Sequence, residues 1–125
     1  MLGHPERHFP SIHVAGTNGK GSTCAFIGAE LAARGHKVGI YTSPHLVSVR
    51  ERIVVDGVPI GEDAFAEWTT FLQPHIERLD ASFFEATTAI AFADLAARGA
   101  QVGVIEVGLG GRLDATNVIT PLVSV

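Results

Sequence analysis

One stretch constrains this chain more than any other: His13-Val14-Ala15-Gly16-Thr17-Asn18-Gly19-Lys20-Gly21-Ser22-Thr23. An apolar run, Ile12 to Ala15, leads into it, and an apolar-periodic segment, Cys24 to Ala33, leads out. Strand, glycine-rich turn and helix are the context that a phosphate-binding loop requires. Gly16 and Gly19 let the backbone turn tightly and bring N–H groups close to an anion. The following helix aims its positive N-terminal end at the same point. Lys20 adds a mobile full charge for the outer phosphates. The plainer alternative is an ordinary strand-to-helix turn with a surface lysine. Gly16, Gly19, Lys20 and the hydroxyls of Ser22 and Thr23, packed into one short stretch after a strand, favour nucleotide phosphates over it.

Two departures from the common pattern GxxxxGK[ST] narrow the reading. The first glycine position holds Val14, and the hydroxyl that usually follows the lysine is replaced by Gly21. Ser22 comes one position late, so magnesium is expected to take a hydroxyl from elsewhere.

A chain of 125 residues suffices for one domain with its own core. At 46% hydrophobic and 18% charged residues it has an ordinary globular composition. Net charge is −4 and no Lys/Arg-rich run occurs, which argues against a nucleic-acid partner. No apolar stretch approaches membrane-spanning length, so no membrane role is expected. The one cysteine, Cys24, fits a reducing cytoplasm and a small buried role in the first turns of the loop's helix. His4 and His8 are spaced i,i+4 but flank Pro5, and read as solvated rather than as metal ligands. About ten residues precede the first strand, and Leu122 to Val125 reads as a strand with nothing after it. A parallel strand normally leads into a crossover. The expectation is therefore a domain incomplete at both ends, belonging to a longer enzyme.

Taken in order, Ser11 to Ala15 is the first strand, and the helix after the loop stops at Gly35, a C′ position. Lys37 to Thr42 is a continuous apolar strand, expected to be parallel and covered on both faces. Thr42-Ser43-Pro44-His45-Leu46 follows its C-terminal end, where ligand groups gather in open α/β sheets. Ser-Pro is also simply a good loop starter, and His45 is equally readable as loop packing. Arg50 to Ile60 reads as a hairpin turning at Asp56-Gly57. Glu62 to Leu79 is an amphipathic helix with Phe65, Trp68, Leu72, Ile76 and Leu79 on one face, and Pro74 is expected to kink or split it. Asp80 to Thr88 opens a further helix ending near Arg98-Gly99, with an almost wholly apolar body expected to be buried. Ser82 with Glu85 matches a capping box. Gln101 to Val107 is a buried strand ending near Glu106. An apolar strand ending in an acid beside a phosphate loop has the arrangement in which a carboxylate holds Mg²⁺. The alternative for Glu106 is a salt bridge, for example with Arg112. Gly108 to Asn117 follows and is not a dinucleotide fingerprint, because Leu113 takes the third glycine position.

GTNGKGST resembles the ATP loop of the Mur ligase superfamily, and Gly-Ser after the lysine resembles its folate branch, folylpolyglutamate synthase and dihydrofolate synthase. TSPHL, FFEATT and EVGLGGRLDATN resemble further segments of that branch, in the same order, and together span Ile12 to about Val118. The resemblance implies a three-layer P-loop-type α/β ATPase domain with a mostly parallel sheet, forming over residues 1–125 part of the ATP-binding domain of a longer, monomeric enzyme. It implies that a folate or dihydropteroate carboxylate attacks the γ-phosphate of ATP, and that L-glutamate captures the acyl phosphate as an amide. By position, Thr17, Asn18, Gly19, Lys20, Gly21 and Ser22 would cradle the phosphates. Lys20 and Glu106 would be the catalytic pair, and Ser43 and Glu106 would ligate Mg²⁺. Ser82, Phe83, Phe84 and Glu85, with Leu113, Asp114 and Ala115, would line the pteroate site. A histidine ligand, a carbamylated lysine and the C-terminal domain of such enzymes have no counterpart here, so the chain alone is expected to be inactive. The alternatives are a peptidoglycan Mur ligase, against which Gly21, FFEATT and GRLDATN count, and a non-catalytic P-loop nucleotide-binding module. A P-loop GTPase would need an Asn-Lys-x-Asp that the chain lacks.

Overall fold

The computed structural model describes residues 9–14, 20–42, 48–80, 83–106 and 123–124. Strand β1 (Ser11–Val14) precedes helix α1 (Lys20–Ala33), which ends with Gly35 at φ 91°, the left-handed conformation expected of a C′ glycine. Strand β2 (Val38–Tyr41) follows, then a short 3-10 turn (Val49–Arg52) and the hairpin β3 (Ile53–Val55) and β4 (Val58–Pro59). Asp56 and Gly57 both have positive φ, 50° and 79°, as a two-residue hairpin turn with the right twist demands. The Asp56 carboxylate also accepts a hydrogen bond from the Val38 amide (3.1 Å), stitching the turn to the start of β2. Helices α2 (Glu62–Leu79) and α3 (Phe83–Ala97) lead to β5 (Val102–Glu106), and β6 (Val123–Ser124) is the last described strand.

The described strands form one sheet in the order β4-β3-β2-β5-β1-β6. β2, β5, β1 and β6 are mutually parallel, and the hairpin adds two antiparallel strands at the β2 side. β5 lies between β1 and β2, so the helical crossovers must cover both faces of these apolar strands. Strand alternation settles which helix covers which face. Gly28 of α1 approaches Val38 and Ile40, whereas Gly39, between them, approaches Leu95 of α3. α1 therefore packs on one face, over Val14, Val38, Val102 and Val104. α3 packs on the other with Tyr41, Ile53, Val55 and Ile105, and α2 adds Leu72 with the half-buried Phe65, Trp68 and Ile76. These are the three expected layers.

Three details differ from the sequence expectation. Pro74 does not split α2, which runs unbroken to Leu79. Pro74 and Thr70, whose carbonyl would have received the missing hydrogen bond, are both exposed, so solvent takes the freed carbonyl. Leu79 is 62% exposed instead of joining the apolar face, because the helix ends there at Asp80 in the left-handed conformation. α3 carries a buried acid, Asp94, within a body that reads as apolar. Asp94 pairs with Arg98 (2.6 Å) and takes a hydrogen bond from Trp68, while Arg98 donates to the Val58 carbonyl (2.8 Å). One buried carboxylate thus ties α3 to α2 and to the hairpin. Among the described residues no helix is long and apolar enough to cross a membrane.

Candidate functional site

Because β1, β5 and β2 are adjacent and parallel, their C-terminal ends emerge on one edge of the sheet. In an open α/β sheet that edge, where strand order reverses around β1, is where ligands bind. Val14, the last residue of β1, pairs in register with Glu106, the last residue of β5. One step back, Ile105 lies between His13 and Tyr41.

α1 begins at Lys20, directly over this edge, and has no acidic residue in its first turn. Its positive end is therefore uncompensated from within the helix. Cys24 is fully buried and packs in one cluster with Val14, while Ser22 is exposed. That packing seats the helix N-terminus against the end of β1. The expected buried role of Cys24 is what the structure has.

Glu106 is only 3% exposed. It follows Val102 and Val104 in the alternation of β5, and both belong to the cluster beneath α1. Its register partner Val14 belongs there too. The carboxylate therefore emerges on the α1 face of the sheet, at the level where β1 gives way to the glycine-rich segment. Among the described residues no group of three or more His, Cys, Asp and Glu could hold a metal.

The segment 43–47 leaves from β2, and both of its ends are held. At its base the Thr42 amide donates to the Arg52 carbonyl (2.9 Å). At its exit Ser48 and Glu51 form a capping box on the 3-10 turn, and Arg50 Nε donates to the Ile60 carbonyl (2.7 Å). On the opposite face α3 starts at Phe83, with Glu85 exposed and Thr87 and Thr88 buried. Sequence reasoning overlooked the Ser48-x-x-Glu51 capping signature and the pairing of Tyr41 with Thr88. The first was legible as a motif. The second joins residues 47 positions apart and left no local signal.

Thr17, Asn18, Gly19, Ser43, His45, Ser82, Arg112, Leu113, Asp114 and Ala115 lie outside the described residues. So does the capping box expected at Ser82, although its partner Glu85 is described. For Lys20, Gly21, Phe83 and Phe84 the helical backbone position is described.

No family model matches the chain. Individual proteins do. The chain is 44% identical to the dihydrofolate synthase/folylpolyglutamate synthase of Bacillus subtilis, over 99% of this chain and 30% of that protein. It is 45% identical to the folylpolyglutamate synthase of Lacticaseibacillus casei, over 99% of this chain and 31% of that protein. This chain is a homologue of the folylpolyglutamate and dihydrofolate synthases. Their solved structures agree with it in fold. The folylpolyglutamate synthase of Mycobacterium tuberculosis with ADP and AMPPCP superposes at a TM-score of 0.93 and 44% identity, over 98% of this chain and 30% of that one. A folylpolyglutamate synthase complex with AMPPCP and folate superposes at 0.91 and 44% identity, over 98% of this chain and 32% of that one. The chain thus spans about a third of the length of the folylpolyglutamate synthases it matches.

Proposed function

We propose that residues 1–125 form part of the ATP-binding domain of an ATP-dependent acid–amino-acid ligase, which joins L-glutamate to the carboxylate of a folate or dihydropteroate. The observation that carries this reading is the 44% identity and 0.91 TM-score to a folylpolyglutamate synthase complex with AMPPCP and folate, over 98% of the chain. The strand edge described above supplies the matching physics. Lys20 and the amides of residues 17–22, at the positive end of α1, bind the ATP phosphates and hold the γ-phosphoryl group. The acceptor carboxylate attacks that phosphorus, ADP leaves, and an acyl phosphate forms. The glutamate amine then attacks the acyl carbon, loses a proton and expels inorganic phosphate, leaving an amide.

Glu106 fits a magnesium ligand, since it is a buried carboxylate on the α1 face at the end of β5. Mg²⁺ takes one or two protein oxygens together with phosphate oxygens, so Glu106 and Ser43 suffice as its side-chain ligands. When bound, the ion supplies positive charge against the transferring phosphoryl group. Ser82, Phe83, Phe84 and Glu85, with Leu113, Asp114 and Ala115, bind the acceptor on the α3 side. The full-length enzyme acts as a monomer in the cytoplasm, in keeping with one cysteine, Cys24, that is buried as a thiol.

The test is ADP release by the full-length protein with ATP and Mg²⁺, comparing dihydropteroate and tetrahydrofolate as acceptors. ADP release should require both an acceptor and L-glutamate, and mass spectrometry should find one glutamate added. ADP release indifferent to both would favour a nucleotide-binding module without ligase activity.

A further inference from the structure

A buried hydrogen bond joins the end of β2 to the first turns of α3. The Tyr41 hydroxyl and Thr88 Oγ1 lie 2.9 Å apart, and either can donate. Tyr41 is fully buried and Thr88 is 3% exposed. Tyr41 belongs to an apolar cluster that includes Ile53, Ile90, Phe92, Leu95 and Ile105. Packing alone would accept Phe and Val at these two positions. A hydroxyl pair buried there adds direction, because a rotation of α3 that separates the two groups breaks a buried hydrogen bond.

The location of the bond decides what that direction serves. Thr88 lies three residues after Glu85, so the two share one side of α3 a turn apart. Thr88 is anchored in the core while Glu85 is exposed. Tyr41 lies beside Ile105 in register, on the face covered by α3. The phosphate side, with α1 and Glu106, is on the other face. The end of β2 does not depend on the tyrosine hydroxyl, since the backbone bond from Thr42 to Arg52 holds it separately.

We infer that the Tyr41–Thr88 hydrogen bond sets the rotation of α3 against the sheet and so positions Phe83 to Glu85 for the acceptor, leaving nucleotide binding untouched. Both are positioning residues. The inference rests on the function proposed above, in which this end of α3 meets the folate or pteroate.

The experiment uses Tyr41→Phe, Thr88→Val and the double variant in the full-length protein, with Thr88→Ser as the variant that keeps the hydroxyl. The acceptor KM should rise on the order of five-fold in each of the first three, the scale of one neutral hydrogen bond. The double variant should be no worse than either single one, and Thr88→Ser should stay near wild type. ATP KM and the affinity for ADP should not move. An unchanged acceptor KM, or acceptor and ATP KM rising together, overturns the inference. If the wild-type protein uses no folate acceptor, the functional reading fails by itself. Hydrogen exchange then decides the positioning role: Tyr41→Phe should speed exchange in the first turns of α3 and not in α1, and equal rates in α3 overturn it.

Discussion

Val14 and Glu106 are lateral neighbours on adjacent parallel strands, one leading into the glycine-rich segment and the other ending in a carboxylate only 3% exposed. Parallel register puts both side chains on the same face, and that face is the one α1 covers. The end of β1 and a buried acid at the end of β5 therefore lie on one face of the sheet, beneath α1, as the proposed phosphate and metal site needs.

Lys20, the first residue of α1, should serve phosphate binding and transition-state charge stabilisation and contribute little to folding. Lys20→Ala in the full-length enzyme should lower kcat on the order of 10²-fold or more, as for other lost charge stabilisers. Its melting temperature without nucleotide should match wild type. Near-normal turnover would remove the phosphate-loop assignment.

Glu106→Gln keeps the side-chain volume and removes the charge. Ligase activity should fall on the order of 10²-fold, and the Mg²⁺ concentration giving half-maximal rate should rise. A rate profile against Mg²⁺ that overlays wild type would show that this carboxylate does not hold the metal. Chelating the metal should abolish wild-type ADP release.

At Gly39, β2 passes close beneath Leu95 of α3. A Cβ there would lie 2.5 Å from Leu95 Cγ and 2.7 Å from its Cδ2, and Leu95 is fully buried. Gly39→Ala should destabilise by about 1–3 kcal/mol, the usual cost of overpacking a filled core. Gly61 has open space around it and an ordinary φ of −69°, so Gly61→Ala meets no clash and should cost only its lesser fitness as the N-cap of α2, under about 1 kcal/mol. Urea titrations of the two variants side by side would check the contrast.

Asp94 should make stability depend on pH. Burial raises its carboxyl above the ordinary 3.8, against the opposing pull of Arg98 and the hydrogen bonds from Arg98 and Trp68. A group raised in the fold binds protons more readily there, so its contribution is full below 3.8 and is lost as pH rises through the folded value. The melting temperature of wild type minus that of Asp94→Asn should therefore fall as pH rises from just below 3.8, then level off. A difference that grows with pH would mean that pairing with Arg98 outweighs burial.

Much of this was legible locally. The strand Ser11–Val14, the helix Lys20–Ala33, the Asp56-Gly57 hairpin and the stop at Gly35 follow from backbone requirements that a few residues state by themselves. The resemblance to the folate branch was legible too, because four motifs occur in one order. Other features belong to the tertiary structure. That β5 inserts between β1 and β2, bringing Glu106 beside Val14, depends on which strands pair, and the apolar runs of all three look alike. The burial of Asp94 depends on Trp68 and Arg98 arriving together. The exposure of Leu79 depends on where α2 ends. The Tyr41–Thr88 bond spans 47 positions and two elements. Sequence by itself determined the local conformations, whose energies are decided within a turn or a strand. Only the tertiary structure decided which groups meet, because burial and hydrogen bonding between distant residues have no value until the layers close on one another.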